Sequence, residues 1–172
     1  MNIRRSSIWF DRRGAAAAEM ALVAPLLATI MFGAVELGRY FWDEHLLVKA
    51  VRDGARFAGR QNFATMPCGG TATNETQIKN LVRYGKTTVS VQDRPRLYYW
   101  TDPATITVQI NCYANAGVDG ARVYDGIYSA RANVPIVTVS AAVPYTPIIG
   151  AFGFRARGMT LNASNQSPVF GL

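Results

Sequence analysis

Few side chains in this sequence are of a type and spacing to do chemistry, and they narrow the choice quickly. The only histidine, His45, stands beside Glu44 on a stretch with helical periodicity, where a solvated surface position is the ordinary reading, and no serine or cysteine nucleophile has a base in its local pattern. Cys68 and Cys112 lie far apart, and with one histidine they do not supply the four tetrahedral ligands of a zinc site, so no metal and no cofactor is expected. Asp93, Asp102, Asp119 and Asp125 are scattered through loop-like segments, and a glycosidase-type carboxylate pair is the one enzymatic reading they leave open. There is no glycine-rich phosphate loop and no zinc-peptidase motif, so the chain reads as a non-enzyme. The acid that stands out is Glu19, set just inside the apolar run of "RRGAAAAEMALVAPLLATIMFGAVELGR" from Arg12 to Arg39.

The element that must position Glu19 is a helix. Ala15 to Gly38 is 24 residues with no ionisable side chain between Met20 and Val35; at 1.5 Å per residue it reaches about 36 Å, enough to cross a hydrocarbon core of about 30 Å. Arginines precede it and Tyr40, Phe41 and Trp42 follow it. Residues 1–14 are therefore expected in the cytoplasm and everything after about Arg39 across the inner membrane, in the periplasm. A cleaved secretory signal would have a shorter apolar region ending in a small-residue site, and the alanine-rich stretch after Arg12 and Arg13 does not suit twin-arginine export. Pro25 lacks an amide donor and is expected to kink the helix or open a turn there.

Helical periodicity continues past Trp42. Leu47, Ala50, Val51, Gly54, Ala55 and Ala58 form one face, while Lys49, Arg52, Asp53, Arg56 and Arg60 fall on the other. One helix from Ala15 to about Gly59, ~67 Å long, is expected to be apolar all round over residues 15–38 and amphipathic over residues 39–60.

Residues 61–172 change character. "PCGGT" at 67–71 marks a loop, and Thr73 or Asn74 is placed to cap a short helix over Glu75 to Tyr84. Alternating patterns predict strands in "TITVQINC", "VTVSAAV" and "MTLNAS", each with one apolar face, and "RLYYW" at 96–100 reads as either a further strand or an aromatic loop. The fold class expected is α+β, a long helix whose amphipathic half packs on a small antiparallel sheet. Residues 114–132 carry no clear pattern.

A hydrophobic fraction of 49% is ample for a core. The net charge of +7 includes +3 on the first fourteen residues, where four arginines face Asp11; a basic N-terminal cluster on a mildly basic body does not point to nucleic acid. Beyond the cytoplasm an even pair of cysteines favours a Cys68–Cys112 disulfide, the alternative being a small buried Cys112 with Cys68 free.

Three segments carry a family resemblance. "RRGAAAAEMALVAPLL" is similar to the N-terminus of prepilin-like proteins, with a basic leader ending at Gly14, Ala15 as first mature residue and Glu19 as fifth. "FGAVELGR", with Glu36, Gly38 and Arg39, followed by Gly54, Ala55, Arg56, Phe57 and Ala58, resembles the TadE-like minor pilins, or pseudopilins, of the tight-adherence (Flp) type IV pilus system. "VTVSAAVPYTPIIGAFG" resembles that family's strand and Pro-aromatic-x-Pro turn. The resemblance runs from Arg12 to Gly59 and again from Val137 to Ser164, with Met20 where the family often has an aromatic residue.

The resemblance implies a pilin-like fold and a membrane-inserted precursor cut by a prepilin peptidase between Gly14 and Ala15. It also implies assembly with other pilin or pseudopilin subunits on a pilus platform, in the service of adhesion and biofilm formation. Cleavage would create a cationic amine on Ala15 about one turn from Glu19, free to pair with that acid or with the acid of a neighbouring subunit. Without a partner, Glu19 would still stabilise the positive end of its own helix by roughly 0.3–1 kcal/mol. The alternative is an uncleaved, signal-anchored envelope protein with a ligand-binding or enzymatic outer domain.

Overall fold

A computed structural model of the chain describes residues 12–117, 119–148, 150 and 158–171. Most of the leader expected over residues 1–14, and part of the turn after the second predicted strand, therefore lie outside the described residues. The chain divides into two compact units, Met1–Arg39 and Tyr40–Leu172.

Helix α1 (Arg12–Gly59) supplies every described residue of the first unit and opens the second. It begins at Arg12, slightly before the expected Ala15, and runs on into alanine, methionine and leucine, which are strong helix formers. It continues through Pro25 without interruption, so the opened turn expected there does not form. The Thr29 hydroxyl donates to the Pro25 carbonyl at 2.9 Å, a back-bond within the same turn of helix. In the first unit Met20, Leu22, Leu26, Ile30 and Val35 are exposed. An 18-residue window here has a mean hydropathy of 2.0 and none of it is buried within the chain. The helix is thus long and apolar enough to cross a membrane.

The second unit is α+β: the remainder of α1, helix α2 (Glu75–Tyr84), and an antiparallel sheet of β1 (Ile106–Ala114), β2 (Asn133–Pro144) and β3 (Thr160–Pro168), with β2 in the centre. Register follows the alternation in the sequence. Val108 pairs with Val139 and Ile106 with Ala141, placing the apolar side chains of β1 and β2 on one face, while Thr107, Ser140 and Ser164 line up across the other. The apolar face is covered by the predicted side of α1: Leu47, Ala50, Val51, Ala55 and Ala58 are fully buried in one cluster with Val137, Val139, Val143 and Leu161. Ile78 and Val82 of α2 complete it.

Asn74 takes the N-cap position of α2 but makes no capping hydrogen bond with its side chain. Gly85 ends the helix with φ +78°, and its amide donates to the Leu81 carbonyl at 2.9 Å, the left-handed turn for which glycine is favoured.

β2 starts at Asn133, before the alternation that predicts it, because Pro135 masks the pattern there while still pairing opposite Cys112. The "RLYYW" segment is a turn and not a strand. Leu97 and Trp100, three residues apart, are both buried, whereas a strand would send them to opposite faces. The Trp100 amide closes the turn on the Leu97 carbonyl at 2.9 Å and its indole donates to Thr105 Oγ1 at 2.8 Å. Arg83 of α2 clamps the segment, donating from Nε to the Trp100 carbonyl at 2.7 Å and from Nη2 to the Thr101 carbonyl at 2.5 Å.

The patternless stretch between β1 and β2 is organised by one residue. Buried Asn115 donates from Nδ2 to the carbonyls of Tyr124 and Tyr128, both at 2.9 Å, and accepts at Oδ1 from the Tyr124 amide at 2.7 Å. A single amide side chain thus holds the loop's polar backbone together. The Tyr128 hydroxyl then donates to the Val169 carbonyl at 2.7 Å, fixing the loop to the end of the chain, and burial raises the phenol's pKa.

Candidate functional site

The sequence directs attention to α1, whose candidate residues fall into groups along its length. At its start Gly14, Ala15 and Glu19 are all exposed. Among the described residues Glu19 makes no ion pair and no hydrogen bond, and its neighbours Met20 and Leu22 are 64% and 80% exposed. A carboxylate without a partner in an apolar stretch is unfavourable in lipid unless a cation or a hydrogen-bond donor meets it.

Glu36 and Arg39, three apart near the end of the first unit, are half-buried, whereas Gly33 and Gly38 are exposed. A side chain built at either glycine would meet nothing within 4 Å in this chain. Their small size answers to no packing need among the described residues.

In the second unit the Gly54-Ala55-Arg56-Phe57 segment divides its work. Gly54 lies against Val82, Ile78 and Val139, where even a methyl group would collide with Val82. Ala55 is fully buried and Phe57 packs on the core from its edge. Arg56 alone faces outward, with Lys49, Arg52 and Arg60 exposed on the same side. Asp53, placed by periodicity on the polar face, is engaged: Arg96 Nη2 approaches its Oδ2 at 3.0 Å.

Cys68, in the loop after α1, and Cys112, on the inner face of β1, are joined by a disulfide with Cα atoms 5.7 Å apart. It ties loop to sheet across a sequence separation of 44.

Three of the loop and turn acids are held by local donors. Asp93 accepts from Lys86 Nζ at 2.5 Å and from the Ser90 amide at 2.9 Å, and these donors lower its pKa, Lys86 most. Asp102 and Asp119 accept from the amides of Ala104 and Ala121. His45 is exposed beside half-buried Glu44. No group of three metal-ligating side chains occurs among the described residues. Sequence reasoning missed Asp43: it is buried and accepts from the Tyr99 hydroxyl at 2.9 Å. The available signal was its angular position on α1, on the side of Leu47, Ala50 and Gly54.

Residues 14–56 match the family model described as TadE-like protein. This is the stretch of α1 that carries Glu19, the Glu-x-Gly-Arg run and Gly54-Ala55-Arg56, and the match does not extend to the sheet. No curated protein matches the chain, and no solved structure does.

Proposed function

We propose that this chain is a structural, pilin-like subunit of a tight-adherence (Flp) type IV pilus system. In this reading α1 anchors the precursor in the bacterial inner membrane as a single pass, with the Tyr40–Leu172 unit on the periplasmic side. A prepilin peptidase removes the leader between Gly14 and Ala15. The mature subunit then joins other pilin or pseudopilin subunits on the assembly platform and supports surface adhesion and biofilm formation.

The observation that carries the reading is Glu19. It is the fifth residue counted from Ala15, it is set in an apolar helix, and it is unpaired among the described residues. The new Ala15 amine would lie about one helical turn away, and a neighbouring subunit would bring another such amine. Leaving either charge alone in lipid costs several kcal/mol, so pairing favours assembly in register. The match of residues 14–56 to a TadE-like model supports the same assignment, and the disulfide suits an oxidising compartment.

Mass spectrometry of the protein from cells with and without the prepilin peptidase tests this reading. A mature N-terminus at Ala15 that disappears in the peptidase-deficient strain is expected. An intact N-terminus in both strains would overturn it and leave an uncleaved, signal-anchored envelope protein.

A further inference from the structure

The side of α1 turned away from the second unit's core carries a row of cations. Lys49, Arg52, Arg56 and Arg60 recur once per turn, and at 100° per residue they fall with Trp42 and His45 within about 100° of arc. The buried residues Leu47, Ala50, Gly54 and Ala58 occupy the opposite arc. All four cations are exposed, and among the described residues none has an ion-pair partner. Several acids of this unit are engaged elsewhere, Asp53 with Arg96, Glu75 with Lys79, Asp93 with Lys86, and Asp43 with the Tyr99 hydroxyl, and half-buried Glu44 lies outside the arc of the row.

We propose that this face docks an acidic helix of another protein, one carrying carboxylates at three- and four-residue spacing along one side. Charge complementarity selects the sign of the partner. The cations span about 16 Å along the axis at one per turn, the spacing at which a helix lying alongside presents its own i, i+4 side chains. Three of them are guanidinium groups, whose planar forks suit carboxylates. The row is also edged by surface that a bare polyanion would not use. Trp42, 72% exposed, stands at one end, and Phe170, with Asn165 and Gln166 of β3, borders the groove beside Arg56 and Arg60 at the other. A second copy of this unit is a poor occupant, because neither of its α-helices carries free carboxylates at that spacing: Asp43 and Asp53 of α1 and Glu75 of α2 are engaged, and Glu44 stands without an acid three or four residues beyond it. The inference rests on the geometry of the second unit alone and stands apart from the pilin-like reading.

The test uses the full chain in detergent and a fluorescent helical peptide with glutamates at that spacing. The control is a peptide of identical composition with its glutamates spread around the helix. Fluorescence anisotropy should show the matched peptide binding about tenfold more tightly, an effect that several exposed ion pairs acting together supply, with affinity falling as salt rises. Arg52→Glu with Arg56→Glu should lose that margin, whereas Arg94→Glu with Arg122→Glu, on exposed loop arginines, should keep it. If the double reversal does not fold, Arg52→Gln with Arg56→Gln and the salt titration of the unaltered chain read the same margin. Equal binding of the two peptides would overturn the proposal. So would tighter binding to anionic-lipid vesicles or to heparin than to the matched peptide.

Discussion

The Tyr99 hydroxyl donates to the Asp43 carboxylate across 2.9 Å, tying the aromatic turn after α2 to α1 inside the second unit. Asp43 is only 7% exposed, so its oxygens need hydrogen-bond donors supplied by the fold. The ring of Tyr99 also stacks edge-on with Tyr145, which meets Tyr40 in the same manner at 5.2 Å.

Tyr99→Phe removes the hydroxyl and leaves these ring contacts in place. A hydrogen bond to a charged acceptor contributes about 1.5–3 kcal/mol, and the melting temperature of the near-ultraviolet circular dichroism signal should fall by several degrees. An unchanged melting temperature would mean that the bond adds nothing to stability.

Gly54→Ala should destabilise the second unit even though alanine is the better helix former by about 1 kcal/mol. The added methyl would collide with Val82 and press on Val139 and Ile78, and overpacking of this kind costs about 1–3 kcal/mol. Gly38→Ala, where nothing lies within 4 Å, should keep the helix-propensity gain and not destabilise. Chemical denaturation of the two variants side by side gives the contrast, and equal midpoints would contradict it.

Loss of the Cys68–Cys112 bridge should lower stability by about 4 kcal/mol in the chain-entropy model for a separation of 44. Reductant should shift the denaturation midpoint of the unaltered chain and leave Cys68→Ser with Cys112→Ser where it is. The same reductant response in both proteins would show that the shift arises elsewhere.

The Lys86 ammonium, and after it the Ser90 amide, hold the Asp93 carboxyl below its ordinary value of 3.8. A lowered folded-state pKa means that the pairing contributes stability above that ordinary value and loses it as pH falls through the lowered one. Carbon-detected NMR titration should find Asp93 protonating at lower pH than an ordinary aspartate, and Lys86→Met should move it up. No movement in the variant would assign the shift to Ser90.

Glu19→Ala should leave cleavage after Gly14 largely intact and impair pilus assembly, while Glu19→Asp, one methylene shorter, should retain part of it. Immunoblotting for the processed form together with electron microscopy of pili separates the two steps. Normal piliation in the alanine variant would sink the charge-pairing mechanism without touching the cleavage reading.

The sequence by itself determined the elements whose evidence is local. The apolar run after Gly14, the one-sided pattern from Leu47 to Ala58 and the alternation in all three strands each repeat with the period of the structure they adopt, so the existence and type of α1, α2 and the three strands were legible. The early start of β2 at Asn133 and the extension of β3 to Pro168 were not. The position of Glu19 relative to Gly14 was likewise a matter of counting.

Only the tertiary structure decided which elements lie side by side and what the isolated polar residues do. That β2 is central, that Asn115 organises the loop after β1, that Leu97 and Trp100 make a buried turn, and that Arg96 meets Asp53 are not written in any local period. Asp43 and Tyr99 are 56 residues apart, and Asp53 and Arg96 are 43 apart. Such pairs exist only once the core has brought their elements together, because burial strengthens a polar pair and makes an unmatched one costly. The unmatched cations from Lys49 to Arg60 are the converse case: periodicity placed them on one face, but the fold alone revealed that Asp53, beside Arg52 in sequence, is already paired with Arg96.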